Sequence, residues 1–156
     1  MRRGVVTVGA VLLILVVSFC CGCTEEPAPS GGELTGTVWM LERYMNADGT
    51  MAESLVTAPI TAEFADGSVG GSSGCNTYNA AYVTDGQSLS VDVPVVTAMY
   101  CGESGVMDQE ARYLSLLQTA AGYTVLGDQL TVTDSSGQEI LIFRAGDQNL
   151  AGTEWL

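Results

Sequence analysis

Short turn phrases cut this chain into pieces: Asn46–Gly49, Asp66-Gly67, Asp85-Gly86, Gly127-Asp128 and Asp134–Gly137. Asp-Gly and related pairs tolerate the positive φ angles of tight hairpins, so they join antiparallel strands. The pieces between them carry the alternation that half-buried strands require. In PITAEFADGS, Ile60, Ala62 and Phe64 fall on one face and Thr61 and Glu63 on the other. GTVWMLERY alternates either through Val38 and Met40 or through Trp39 and Leu41. AYVTDGQSLSVDV repeats the design, and YTVLGDQLTVTDSSGQEILIF does so twice more. Turns spaced roughly every 8–12 residues predict an antiparallel meander or barrel of about seven or eight strands.

One segment departs from this rhythm. In GVMDQEARYLSLLQTAAGY, residues Met107, Ala111, Leu114, Leu117 and Ala121 share one helical face, with Gly122 as the stop. Asp108 and Glu110 fall in the first turn, where the helix dipole favours negative charge, and read as solvated side chains on the helix surface. A lone helix among strands covers the open face or mouth of a curled sheet, because an uncovered apolar face would meet water. The expected fold is therefore α+β: a curled antiparallel sheet, a partial barrel, wrapped around one amphipathic helix.

The N-terminus is a separate matter. Met1-Arg2-Arg3 precedes an apolar run from Val5 to Phe19, and then comes CCGCTEEPAPSGGE. Two arginines before such a run describe an export signal, whereas a spanning helix wants about 20 apolar residues. A spanning N-terminal helix is the alternative if the cysteines are counted in. Lipoprotein processing requires small residues just before the lipid-bearing cysteine. Gly22 before Cys23 meets that requirement, Phe19 before Cys20 does not, and Cys21 is a fallback. Cys23 is thus the expected lipid attachment site, followed by a flexible Pro/Gly/Ser tether. The expected location is extracytoplasmic, lipid-anchored to the cell membrane or envelope.

Charge narrows the partners. All eighteen acidic residues follow Cys23, and only Arg43, Arg112 and Arg144 balance them, which gives the processed chain a net charge of −15. There is no lysine. Such a surface repels nucleic acid and anionic headgroups, so no nucleic-acid partner is expected for the folded domain. Histidine is also absent, which excludes Ser–His–Asp, Cys–His and His-based zinc sites. No metal, no cofactor and no catalytic residue is expected. The remaining carboxylates are scattered and form no evident acid–base pair.

The most unusual stretch of the processed chain is GGSSGCNTYNAAY. Gly70, Gly71 and Gly74 have the composition of an anion-holding nest, but there is no lysine and no phosphate-loop spacing. A glycine-relieved bend, where a strand crosses tightly against the core, is the simpler reading. Cys75 and Cys101 are the only cysteines beyond the lipidation cluster, 26 residues apart. In an exported domain they are most simply one disulfide. A two-cysteine metal or redox site is the alternative, though further ligands and Cys-x-x-Cys spacing are lacking. Trp39 and Tyr78, Tyr82, Tyr100, Tyr113 and Tyr123 either line a ligand mouth or, more commonly, fill core and rim.

In order, LTGTVWMLERY, ITAEFADGSVGGSSGCNTYNAAY, TAMYCGE, a helix and YTVLGDQLTVTDSSGQEILIF closely resemble the META domain, or HslJ-like, family of exported proteins. The resemblance runs from about Leu34 to Arg144. It is carried by Gly36-Thr37-x-Trp39, by Gly74-Cys75-Asn76-x-Tyr78 and by Thr97 four residues before Cys101. It implies a compact α+β domain in the envelope, without a defined catalytic activity. It also implies loose association with heat-shock response, antibiotic tolerance and motility or virulence. These residues are carried over as structural markers, and the Asn76 amide is suited to satisfying buried backbone groups at the bend.

LAGTEWL at Leu150–Leu156 matches LTGTVWM at Leu34–Met40 in Leu, Gly, Thr and Trp, at an offset of 116 residues. A second copy of the opening phrase reads as an internal repeat. The expected organisation is a lipoprotein signal peptide at 1–22, a tether at 23–33 and a META domain at 34–145. A linker and the start of a truncated second repeat would fill 146–156. The expected function is a membrane-anchored, non-enzymatic binding or stress-protective module with an unidentified envelope protein partner. The alternative is a lipocalin-like carrier of a small apolar ligand, which needs an enclosed apolar cavity.

Overall fold

Each of the five turn phrases ends one strand and starts the next. The structure is a computed structural model that describes residues 33–146. The leader, Cys23, the tether as far as residue 32 and the Leu150–Leu156 phrase lie outside the described residues. The strands are β1 (Val38–Met45), β2 (Met51–Glu53), β3 (Thr61–Ala65), β4 (Ser68–Ser72) and β5 (Thr77–Asp85). They continue with β6 (Ser88–Val91), β7 (Val95–Val96), β8 (Gly122–Leu126), β9 (Gln129–Thr133) and β10 (Glu139–Ala145). The helix α1 (Val106–Leu117) falls between β7 and β8. At the β3–β4 hairpin both Asp66 (φ 50°) and Gly67 (φ 77°) take positive φ, the backbone that matches a two-residue turn to strand twist.

The meander closes on itself. Eight strands, in the order β1-β3-β4-β5-β6-β8-β9-β10, are antiparallel neighbours, and β10 returns to β1 from Trp39↔Ala145 to Tyr44↔Leu141. The fold is thus a closed, mostly β barrel with one short helix, more complete than the partial barrel expected. The reason is the pairing of the first strand with the last, which leaves neither as an open edge. A bulge between Leu41 and Arg43 bends β1 along this seam. Outside the ring, β2 lengthens the sheet beside β1, and β7 lies along β5. The thinnest part of the wall is β6–β8. It has one register pair, Ser88↔Gly122, flanked by Leu89 N–H to Ala121 O (3.1 Å) and Tyr123 N–H to Gln87 O (2.9 Å).

Alternation resolves as the pleat dictates. Trp39 and Leu41 point inward while Val38 and Met40 face out, and Ile60, Ala62 and Phe64 are buried as one face. Trp39, Phe64, Leu130 and Phe143 are at most 2% exposed and belong to one cluster with Tyr113, Leu116 and Leu117 of α1.

The helix differs from expectation in phase and length. It buries Val106, Gln109, Glu110, Tyr113, Leu116 and Leu117, not the Met107–Ala111–Leu114 face. Ala111 is exposed, and Met107 and Leu114 are half-buried. Glu110, expected on the helix surface, is 5% exposed. The physical reason is that α1 meets loop backbone as well as apolar sheet, so its inner face carries polar side chains that satisfy peptide groups. The helix ends at Leu117, and Gly122 begins β8 instead of stopping the helix. Among the described residues no helix is long and apolar enough to cross a membrane.

Candidate functional site: the helix-capped mouth

The ends of β1 and β4 and the starts of β3 and β5 lie at one rim of the barrel, as the antiparallel order requires. There β4 crosses close to β3. A Cβ on Gly71 would run into the Thr61 carbonyl oxygen, so only glycine fits this crossing. Gly74 then takes φ +113°, and the corner Ser73–Asn76 turns inward with Ser73 and Asn76 buried.

That corner surrounds one carboxylate. Glu110 Oε2 accepts from Ser73 Oγ (2.7 Å), Asn76 N (2.8 Å) and Cys75 N (3.3 Å), and Oε1 accepts from Asn76 Nδ2 (2.7 Å). Ser73 Oγ also lies 2.9 Å from Asn76 O. Its single proton belongs to the shorter, charge-assisted bond to the carboxylate. Burial pushes the Glu110 pKa up, but the bonds from Ser73, Asn76 and Cys75 outweigh it and hold the carboxyl below its ordinary value. The negative charge is therefore kept without a cation.

Asn76 carries the link onward. Its Oδ1 accepts from Met99 N (2.7 Å) and Thr97 Oγ1 (2.9 Å), and its Nδ2 also donates to Met99 O (3.1 Å). Thr97 Oγ1 in turn accepts from Thr77 N (3.2 Å). Beside this, Cys75 and Cys101 form the expected disulfide, with Cα atoms 5.8 Å apart. Covalent and polar ties thus hold the segment after β7 against the β4–β5 corner.

Two neighbours of Glu110 complete the stitching. Gln109 donates Nε2–H to Ala58 O (3.0 Å) and accepts from Leu55 N (2.6 Å), which fixes the β2–β3 loop. Arg112 donates from Nε to Met45 O (2.6 Å) and from Nη2 to Asn46 O (2.8 Å), which caps the end of β1. Below the carboxylate, Tyr78 OH donates to Thr61 O (3.0 Å), so the 2.6 Å contact with Tyr113 is a bond donated by Tyr113. Burial raises the pKa of both phenols.

Of the residues singled out in the sequence, Gly74, Cys75, Asn76, Tyr78, Thr97 and Cys101 converge at this mouth. Gly36, Thr37 and Trp39 do not. They belong to the lead-in to β1, where Trp39 donates its indole N–H to Leu34 O (2.9 Å). Of the aromatic set, Trp39, Tyr78 and Tyr113 are core, Tyr82 and Tyr123 are half-buried, and Tyr100 is exposed. The residues missed were Ser73, Gln109, Glu110 and Arg112. A signal existed for two of them: Gln109 and Glu110 stand four and three residues before Tyr113, on the face that Tyr113 defines if it is core.

The surface also has shallow clefts. One of about 300 Å³ is lined by Leu41, Glu42, Arg43, Glu53, Ser54 and Val56, and one of about 370 Å³ adjoins it at Leu41 and Glu42. In the second, Arg144 bridges Glu42 (2.6 Å) and Asp128 (2.8 Å) at the surface. The Ser54 hydroxyl is sealed from solvent and has no partner among the described residues. No cluster of three or more Cys, Asp or Glu side chains suited to a metal is formed by the described residues.

A closed antiparallel barrel, capped by one helix whose buried carboxylate binds a disulfide-pinned corner, defines a class of small helix-capped β-barrel domain. The META domain family model matches residues 32–147, and the chain belongs to that family. It is similar to a protein from Burkholderia xenovorans solved by NMR, at 26% identity and TM-score 0.62, over 80% of this chain and 96% of that one. A second NMR structure shares the fold alone, at 17% identity and TM-score 0.52, over 69% of this chain and 87% of that one. No curated protein matches the chain significantly.

Proposed function

We propose that this META domain is a non-enzymatic binding or stress-protective module, held at the cell envelope by a lipid on Cys23. The observation that carries the non-enzymatic part of this reading is the state of Glu110. The buried carboxylate at the mouth accepts three bonds on Oε2 and one on Oε1, and these hold its pKa below the ordinary value, which makes it a poor proton acceptor for a substrate. The tyrosines beneath it are locked to each other and to Thr61 O. Such a node holds shape, and shape is what a binding module offers.

The lipocalin-like carrier is the second reading, and a closed barrel is compatible with it. Against it stands the interior, where Trp39, Phe64, Tyr113, Leu130 and Phe143 occupy the space a ligand would take.

The test is fractionation of cells making the full chain or Cys23→Ser. Membrane association of the first and release of the second support the anchor. Mass spectrometry of the processed N-terminus should find a modified Cys23, and retention of Met1 with the apolar run intact would sink this part of the proposal. Stress survival of a deletion strain complemented by each form tests the protective role.

A further inference from the structure

The segment that runs through β7 beside β5 is uncharged, in a chain that is otherwise strongly acidic. Residues 93–102, VPVVTAMYCG, contain no charged side chain. Within and beside this window Val83, Val93, Val95, Met99 and Tyr100 are exposed by 71, 75, 78, 61 and 84%. Register puts Val83 and Val95 on the outer side of the wall. Asn79 is the partner of Val95, and it shares the outward pleat of β5 with Ala81 and Val83. The Asp92 amide bonds to Ala81 O (2.9 Å), which keeps Val93 along the same strand. The patch is also rigidly presented, since Met99 is held by both its N–H and its C=O on Asn76, and Cys101 is bonded to Cys75. Several exposed apolar side chains offered along one strand and its pinned continuation mark an interaction surface.

Charge selects the occupant. Asp85, Asp92 and Glu103 are all exposed: Asp85 and Glu103 flank the apolar residues along the chain, and Asp92, bonded to Ala81 O, stands between Val83 and Val95. An anionic lipid surface would be repelled by them. A second copy brings eighteen acidic residues and few cations to set against them. It has no lysine, Arg112 is committed to the carbonyls of Met45 and Asn46, and Arg144 to Glu42 and Asp128, which leaves the exposed Arg43 of β1 against that excess of acids. We infer that the β5–β7 face docks a different protein, one whose surface has an apolar centre ringed by lysine or arginine. Tyr100 is the anchor of the contact, as aromatic side chains are in protein interfaces, and Asp92 and Glu103 steer the approach. This rests on reading the domain as a binding module.

The experiment is site-directed photocrosslinking of the full chain in its host, with a photoreactive phenylalanine at Val95 or Tyr100 and, as control, at Val56, which is 93% exposed on the β2–β3 loop. The same adduct with one other protein is expected from positions 95 and 100 and not from 56. In the Asp92→Asn/Glu103→Gln double variant, which leaves the apolar side chains in place, adduct yield should fall at least about threefold, reflecting lost electrostatic steering. The inference is overturned by an adduct between two copies, by lipid adducts, by equal labelling from position 56, by no adduct, or by a yield indifferent to the two acids. Fractionation of the same cells reads the lipid anchor separately, so failure of the docking face and failure of the envelope reading give different results.

Discussion

Asn76 engages both oxygens of Glu110: its backbone N–H reaches Oε2 at 2.8 Å and its side-chain amide reaches Oε1 at 2.7 Å. One residue of a loop thereby holds one residue of the helix in a bidentate grip, with Ser73 and Cys75 adding to it. Glu110→Gln would turn an oxygen into a donor facing other donors. Losing charge-assisted bonds in a buried site should cost about 2–4 kcal/mol. Urea denaturation of the two forms measures it, and a difference below about 1 kcal/mol would show that the grip contributes no more than an ordinary hydrogen bond.

Because the folded Glu110 pKa lies below its unfolded value, its contribution is present above the ordinary carboxylate range and fades as pH falls through the lowered value. The stability gap between wild type and Glu110→Gln should be constant at neutral pH and narrow on acidification. Denaturation series at several pH values check this. A gap that widens towards low pH contradicts the direction of the shift.

The disulfide closes a separation of 26 residues. Replacing Cys75 and Cys101 with alanine should lower stability by about 3 kcal/mol, chiefly by freeing the unfolded chain. The bonds from Asn76 to Thr97 and Met99 survive that change. Amide spectra of the variant should therefore keep the Met99 signal near its native position, and its collapse would mean that the covalent link alone orders the segment.

Gly71→Ala sets a methyl group against the Thr61 carbonyl oxygen. Backbone must move to relieve it, so a loss of at least about 1–3 kcal/mol is expected. Ala at Gly127, where a Cβ meets nothing within 4 Å, is the comparison: its penalty comes from positive φ alone. Thermal melts that rank Gly127→Ala as the more damaging would refute the close crossing.

With five arginines against eighteen acidic residues, the chain has a net charge of −13 and repels itself. Added salt screens that repulsion, so the melting midpoint should rise between low and moderate ionic strength. A midpoint that falls would show that the Arg144 bridges outweigh the net charge.

These sites were unequally legible in the sequence. Every turn phrase marked a real turn, because an Asp-Gly pair states its backbone angles locally. The inward set Ile60, Ala62, Phe64 was equally plain, since a pleat repeats every second residue. The role of Glu110 was not, because its donors lie 34 to 37 residues away and are brought to it only by the completed fold. An acidic residue in a helix's first turn looks the same whether it faces water or four amides and hydroxyls. The helical phase failed for a related reason: counting apolar residues assigns Met107 and Ala111 to the core, whereas the true inner face includes Gln109 and Glu110. Closure was hidden too, since alternation says which way a strand faces but not which strand it will find.

The joining of β1 to β10 has a kinetic consequence. Trp39 meets Ala145 only after the chain between them is complete, so the last seam forms between the segments most distant in sequence. Loop-closure entropy is met before that contact gives anything back, which places such a ring among the slow two-state folders, of order milliseconds to seconds. A chain stopped anywhere before Glu139 leaves β1 with an exposed edge along Trp39–Tyr44, open to the wrong neighbour. The ring can close only once β10 is present to meet β1.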